Sequence, residues 1–231
     1  MASHLDLEEQ EQLDQLKHFW KRWGTLITWV LIVVFGALAA WNGYQYWQRR
    51  QASQASVLYD EVDRAAQAGD AARVERAFND LKDKFGRTVY ASQGGLLAGK
   101  TLYEKGQIDA AKGALGWVAD KSGDAGYQAL ARLRLAAVLL DAKAYDDAMR
   151  QLDASFPPSF VPLADDRKGD VLMAQGKKDE AVAAYSRAWK ALDDSGDYRQ
   201  LIEIKLNALG VDPRAGASLV APAAAAVEKK P

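Results

Sequence analysis

The stretch that most constrains this chain is Trp23 to Trp47, "WGTLITWVLIVVFGALAAWNGYQYW". It holds 25 residues without a charge in a 231-residue protein that is 26% charged. A helix rises about 1.5 Å per residue, so a hydrocarbon core of roughly 30 Å takes about 20 apolar residues to cross. Aromatic residues flank the run, with Trp20 and Trp23 before it and Trp41, Tyr44, Tyr46 and Trp47 after. Trp23 and Tyr44 are 21 positions apart. Along a helix that is about 31 Å, the separation of two interfacial belts. Lys21-Arg22 and Arg49-Arg50 close the two ends. The stretch therefore reads as one transmembrane helix over 23–47, with Trp20, Trp23, Trp41, Tyr44 and Trp47 at the membrane interfaces.

Two other readings stay open. Ala37-Leu38-Ala39 fits the small-x-small pattern of a cleaved export signal, although the leader is then long and acidic (Asp6, Glu8, Glu9, Glu11, Asp14). A helix apolar on all sides also occurs inside large domains. The charge count does not orient the span, because three Lys or Arg lie within about 20 residues of each end.

Composition narrows the chemistry. There is no cysteine, which excludes a disulfide framework, a thiol nucleophile and thiolate metal sites. Both histidines, His4 and His18, precede the apolar run. The 27 basic and 26 acidic residues after the span give no global bias toward nucleic acid. The acidic pairs Asp146-Asp147, Asp165-Asp166 and Asp193-Asp194 fall at expected helix ends, where solvated carboxylates are ordinary. No catalytic, cofactor-binding or metal-ligating set is expected, and no small-molecule substrate.

The body repeats itself. "GDAARVERAF" (69–78), "GQIDAAKGAL" (106–115), "KAYDDAMRQL" (143–152) and "GKKDEAVAAY" (176–185) align on Val74, Ala111, Ala148 and Ala181, spaced 37, 37 and 33 apart. Twelve positions earlier stand Val62, Gly99, Ala136 and Gly169; nine earlier, Ala65, Leu102, Leu139 and Leu172. Phe78, Leu115, Leu152 and Tyr185 follow four positions on. This is a helix–turn–helix unit in which a small residue lets the second helix approach closely. Gly69, Gly106 and Gly176 end the first helices, where a left-handed residue costs little. No unit buries its apolar stripe alone, so the units stack into a continuous core. The third departs most, ending in "FPPSF" (156–160).

The fold class is therefore all-α. One N-terminal membrane helix leads into a solenoid of about four helix pairs, capped by a last helix in "DYRQLIEIKLNALG" (197–210) through Leu201, Ile204 and Leu209. The expected domains are an amphipathic tail (1–22), the span (23–47), the solenoid (48–209) and a disordered Ala/Pro-rich tail (210–231). Nothing breaks helix between Tyr44 and Ala68, so the span can run straight into the first repeat.

One motif competes with the repeat. "GGLLAGKT" (94–101) matches the phosphate-loop signature, and "AAVLLD" (136–141) looks like a strand ending in a magnesium-binding Asp. A phosphate loop must leave a buried strand, however, and a parallel sheet needs several Val/Ile runs that this body lacks. Gly99 with Ala136, and Leu102 with Leu139, are simply equivalent repeat positions. An ATPase remains only a remote alternative.

The small–large spacing resembles the tetratricopeptide pattern, without its usual early Trp and late Pro. The order of parts, with Leu16, Lys17, Phe19 and Trp20 before the span and Lys205, Asn207 and Leu209 at the end, resembles the YfgM-like family of ancillary subunits of the SecYEG translocon. That resemblance covers roughly residues 10 to 210. It implies a bacterial inner-membrane protein with a cytoplasmic N-terminus and a periplasmic body. It also implies association with SecYEG and with a membrane-anchored periplasmic chaperone of the PpiD type, and hand-over of exported client chains. The alternative is an envelope scaffold for division or wall-synthesis complexes. In tetratricopeptide-like stacks the first helix of each pair lines the concave face, which here selects Leu96, Lys100 and Tyr103, then Leu133, Ala137 and Leu140, then Asp166, Asp170 and Met173. These residues are either a groove for a partner segment or a surface covered from within the protein.

Overall fold

The computed structural model describes residues 7–192 and 196–215, and every regular element within them is helical. Residues 1–6, residues 193–195 with the pair Asp193-Asp194, and the tail from 216 onward lie outside the described residues. The chain divides into two compact units, Met1–Ser53 and Gln54–Pro231.

Helix α1 (Leu7–Gln67) begins in the first unit and ends in the second without interruption. Its best 18-residue window has a mean hydropathy of 2.1 and is only 6% buried, so length and composition allow it to cross a membrane. Such low burial overturns the alternative of a helix hidden in the core of this chain. Polar side chains in the span bond to their own helix. Thr28 Oγ1 donates to the Gly24 carbonyl at 2.8 Å, and Asn42 Nδ2 to the Leu38 carbonyl at 3.0 Å. Hydrocarbon demands such internal satisfaction. Trp20, Trp23, Trp41, Tyr44 and Trp47 are all exposed on the helix surface.

In the second unit the end of α1 is followed by α2 (Ala71–Phe85), α3 (Val89–Glu104), α4 (Ile108–Lys121), α5 (Ala125–Asp141), α6 (Tyr145–Leu152), α7 (Val161–Ala174), α8 (Lys178–Ala191) and α9 (Asp197–Ala208). Each first helix of a pair stops in the same way. Gly69, Gly106, Lys143 and Gly176 adopt φ of 67, 74, 59 and 76°. The next amide then donates back to the carbonyls of Ala65, Leu102, Leu139 and Leu172, at 2.9 to 3.1 Å. This left-handed stop satisfies carbonyls the helix would otherwise orphan. Glycine takes it freely; Lys143 does so at a cost of about 1 kcal/mol. Helix α9 ends identically, with Gly210 at φ 83° and Val211 donating to the Leu206 carbonyl at 3.0 Å. It has the stop of a first helix in a fifth pair.

The small positions do what their spacing predicts, with one exception. A Cβ on Gly99 would lie 2.5 Å from Leu115 Cγ, and one on Gly169 would lie 2.4 Å from the Tyr185 ring. Helices α4 and α8 therefore approach α3 and α7 more closely than a side chain allows. Leu115 is 1% exposed, and burying such a side chain contributes about 1.5–3 kcal/mol. In the first repeat Val62 holds the position and is fully buried, so smallness is not required there. Asp70, Thr88 and Asp124 cap α2, α3 and α5 through the amides of Arg73, Ala91 and Tyr127. The prolines of "FPPSF" keep α6 to eight residues and form a single 3-10 turn, Pro158–Phe160.

The capping helix differs from the sequence reading. Ile202 and Leu206 are fully buried and close the stack, whereas Leu201 and Ile204 are 45% and 64% exposed. An ionic cluster sets this rotation. Lys205 Nζ lies 2.7 Å from both Asp166 Oδ1 and Asp170 Oδ1 on α7, and Tyr198 Oη donates to Asp166 at 2.6 Å. Asp166, expected to be solvated at a helix end, is 1% exposed within α7.

Candidate partner-binding groove

The phosphate-loop stretch 94–101 lies inside helix α3. A Cβ on Gly94 would meet Leu81 at 2.7 Å, and one on Gly95 would meet Val118 at 2.3 Å. These glycines admit neighbouring side chains, and their amides sit within helical turns. No loop is present there to cradle a phosphate. Among the described residues no cluster of His, Asp or Glu is placed to hold a metal ion.

The residues selected for the concave face separate into three groups. Leu96 and Leu133 are each 6% exposed and belong to the core shared by the second and third pairs. Asp166 and Asp170 are engaged by the capping helix through Lys205. Asp170 also accepts from Tyr185 Oη at 2.8 Å and from Arg167 at 3.0 Å. Here the surface is covered from within the protein. Met173, 36% exposed, stands beyond this cluster, and Leu140 is half-buried.

The third group forms a pocket. Lys100 and Tyr103 of α3, with Ala137 of α5, line a cavity of about 400 Å³ together with Gly99, Leu115, Arg134, Val138 and Asp141. Its floor is apolar. Gly99 leaves the space, and Leu115 reaches it from α4 because no Cβ stands in the way. The rim is polar. Tyr103 Oη donates a hydrogen bond to Asp141, tying α3 to α5, and that carboxylate pushes the phenol above its usual range. Lys100 is 63% exposed and only 3.8 Å from Glu104, a weak surface pair. Arg134 Nη1 donates at 3.4 Å to the Leu96 carbonyl.

Sequence reasoning missed Arg134, Val138 and Asp141. Arg134 and Asp141 stand three before and four after Ala137, so helical spacing alone places them on its face. Leu115 was marked by the repeat as the large residue of the second helix, but first-helix register alone did not place it in this cavity.

Antiparallel helix pairs with a recurring left-handed stop define a helix-pair solenoid, in a chain that also carries one helix long and apolar enough to cross a membrane. The family model described as a tetratricopeptide repeat-like domain matches residues 17–211. The chain is 35% identical over 213 residues to the ancillary SecYEG translocon subunit of Neisseria gonorrhoeae, covering 90% of this chain and 100% of that one. It is 28% identical over 203 residues to the protein of that name from Haemophilus influenzae, covering 88% and 98%. For the Escherichia coli protein of that name the figure is 24% over 203 residues, covering 88% and 97%. The chain belongs to this tetratricopeptide-like family of ancillary SecYEG translocon subunits. No solved structure matches it significantly.

Proposed function

We propose that this protein is a membrane-anchored binding module of the SecYEG translocon, without catalysis of its own. Its N-terminus faces the cytoplasm and its solenoid the periplasm, where it helps pass newly exported chains to a chaperone of the PpiD type. The observation that carries this reading is full-length similarity to a relative named as an ancillary translocon subunit, span and solenoid together. A soluble scaffold with the same repeats would share only the solenoid part.

The α3–α5 pocket suits the role, because it is apolar, open to solvent and rimmed by charge, as a peptide-binding surface must be. Lys100, Tyr103, Ala137 and Leu140 are the groove residues placed to meet a partner. Extraction in mild detergent, followed by identification of co-purifying proteins, tests the assignment. Translocon subunits and a periplasmic chaperone are expected. Their absence beside division or wall-synthesis proteins would replace this reading with the scaffold alternative.

A further inference from the structure

Most charges along this groove already have an opposite partner. Lys100 pairs with Glu104, and Arg167 with Asp170, which Lys205 shares. Asp141 accepts from Tyr103. Arg134 differs. Arg134 is exposed and lines the pocket, and among the described residues its hydrogen bond is a long one to a carbonyl, with no carboxylate at ion-pair distance. A planar fork with free donors beside an apolar cavity is suited to bidentate capture of a carboxylate.

We propose, resting on the binding-module reading above, that the α3–α5 pocket takes one large apolar side chain of a peptide segment while Arg134 binds an adjacent Asp or Glu side chain. The cavity of about 400 Å³ has room for a Leu or Phe side chain against Leu115 and Val138. The pocket lies between the second and third of four pairs, in the middle of the stack rather than at its end. The carboxylate is assigned to a side chain within the segment, and a peptide with a free terminus tests that assignment. Asp141 lines the same pocket and repels a peptide whose acidic group is misplaced. The specificity is thus for order as well as composition.

The test uses the full-length chain in detergent micelles and fluorescently labelled Gly/Ser nonapeptides blocked at both ends. Central Phe-Glu is compared with Phe-Gln, with Ala-Glu, and with an unblocked peptide ending in Phe. The Phe-Glu peptide should bind about tenfold more tightly than Phe-Gln, the worth of one charge-assisted hydrogen bond. Ala-Glu should bind at least as weakly as Phe-Gln. Arg134→Gln should abolish the preference for Glu over Gln with the helical circular dichroism unchanged. Ala137→Phe, which fills the cavity, should weaken all Phe peptides. Equal affinity for Glu and Gln, retention of the preference in Arg134→Gln, tighter binding of the free terminus, or no binding of any peptide overturns the inference. The translocon assignment stands or falls separately, on co-purification.

Discussion

Replacing Lys205 by Met tests the account of how the solenoid is closed. The ammonium sits 2.7 Å from one oxygen of Asp166 and 2.7 Å from one of Asp170. Without it two carboxylates face each other on α7, one of them 1% exposed. Removing one partner of a fully buried pair costs about 3–5 kcal/mol. The Lys205 and Asp170 side chains are 25% and 18% exposed, so water recovers part of that loss. Methionine also keeps the packing of the lysine stem. A cost of about 2–3 kcal/mol remains. It falls on the docking of α9, so amide hydrogen exchange of the full chain in micelles is the suitable assay. Amides of α9 should exchange about 30- to 150-fold faster, and those of α2, at the other end of the stack, should not change. Adding Asp166→Asn to Lys205→Met should slow α9 exchange again, since it removes one of the facing charges. A change below about threefold in the single variant would refute the reasoning, and α9 would then be held chiefly by its apolar packing through Ile202 and Leu206.

The glycines separate by what surrounds them. Gly169→Ala should destabilise the solenoid by about 1–3 kcal/mol through overpacking against Tyr185, whereas Gly113→Ala, with nothing within 4 Å of the new Cβ, should stabilise it by about 0.5–1 kcal/mol; thermal scans compare the two. Burial and the neighbouring carboxylates of Asp170 and Asp166 hold the Tyr185 and Tyr198 phenols far above their ordinary range. A raised folded pKa means their contribution is present below about pH 10 and lost as pH climbs beyond it. Phenolate absorbance of these two tyrosines should therefore appear only with alkaline unfolding of the C-terminal pairs, and early ionisation would contradict the burial. Alkaline carbonate should leave the full-length chain in the membrane pellet, and release into the supernatant would remove the anchor from the account.

The repeat was legible because its signals are local. A small residue, a large one three positions on and a glycine stop recur within single helix pairs, and Gly99 with Leu115 or Gly169 with Tyr185 met as the spacing implied. Failures came where a partner lies far along the chain. Leu201 and Ile204 fit the apolar periodicity of a capping helix, yet Lys205 reaching back 39 residues to Asp166 fixes the rotation that exposes them. Likewise Asp166 looked like a solvated helix-end carboxylate until Tyr198, 32 residues on, closed over it. The third stop was partly hidden, because Lys143 occupies a left-handed turn that glycine marks elsewhere. Lys100, Tyr103 and Ala137, selected by register, line the cavity between α3 and α5. Leu96 and Leu133 share that register but lie deeper, where the next pair covers them.

Site-specific photo-crosslinking in native membranes tests the central claim most directly. A crosslinking residue at Tyr103 or Leu140 should yield adducts with translocon subunits or exported chains, while one at the exposed Arg76 of α2 should yield far fewer. Equal labelling from all three positions, or adducts only with the protein itself, would contradict a partner-binding groove between α3 and α5.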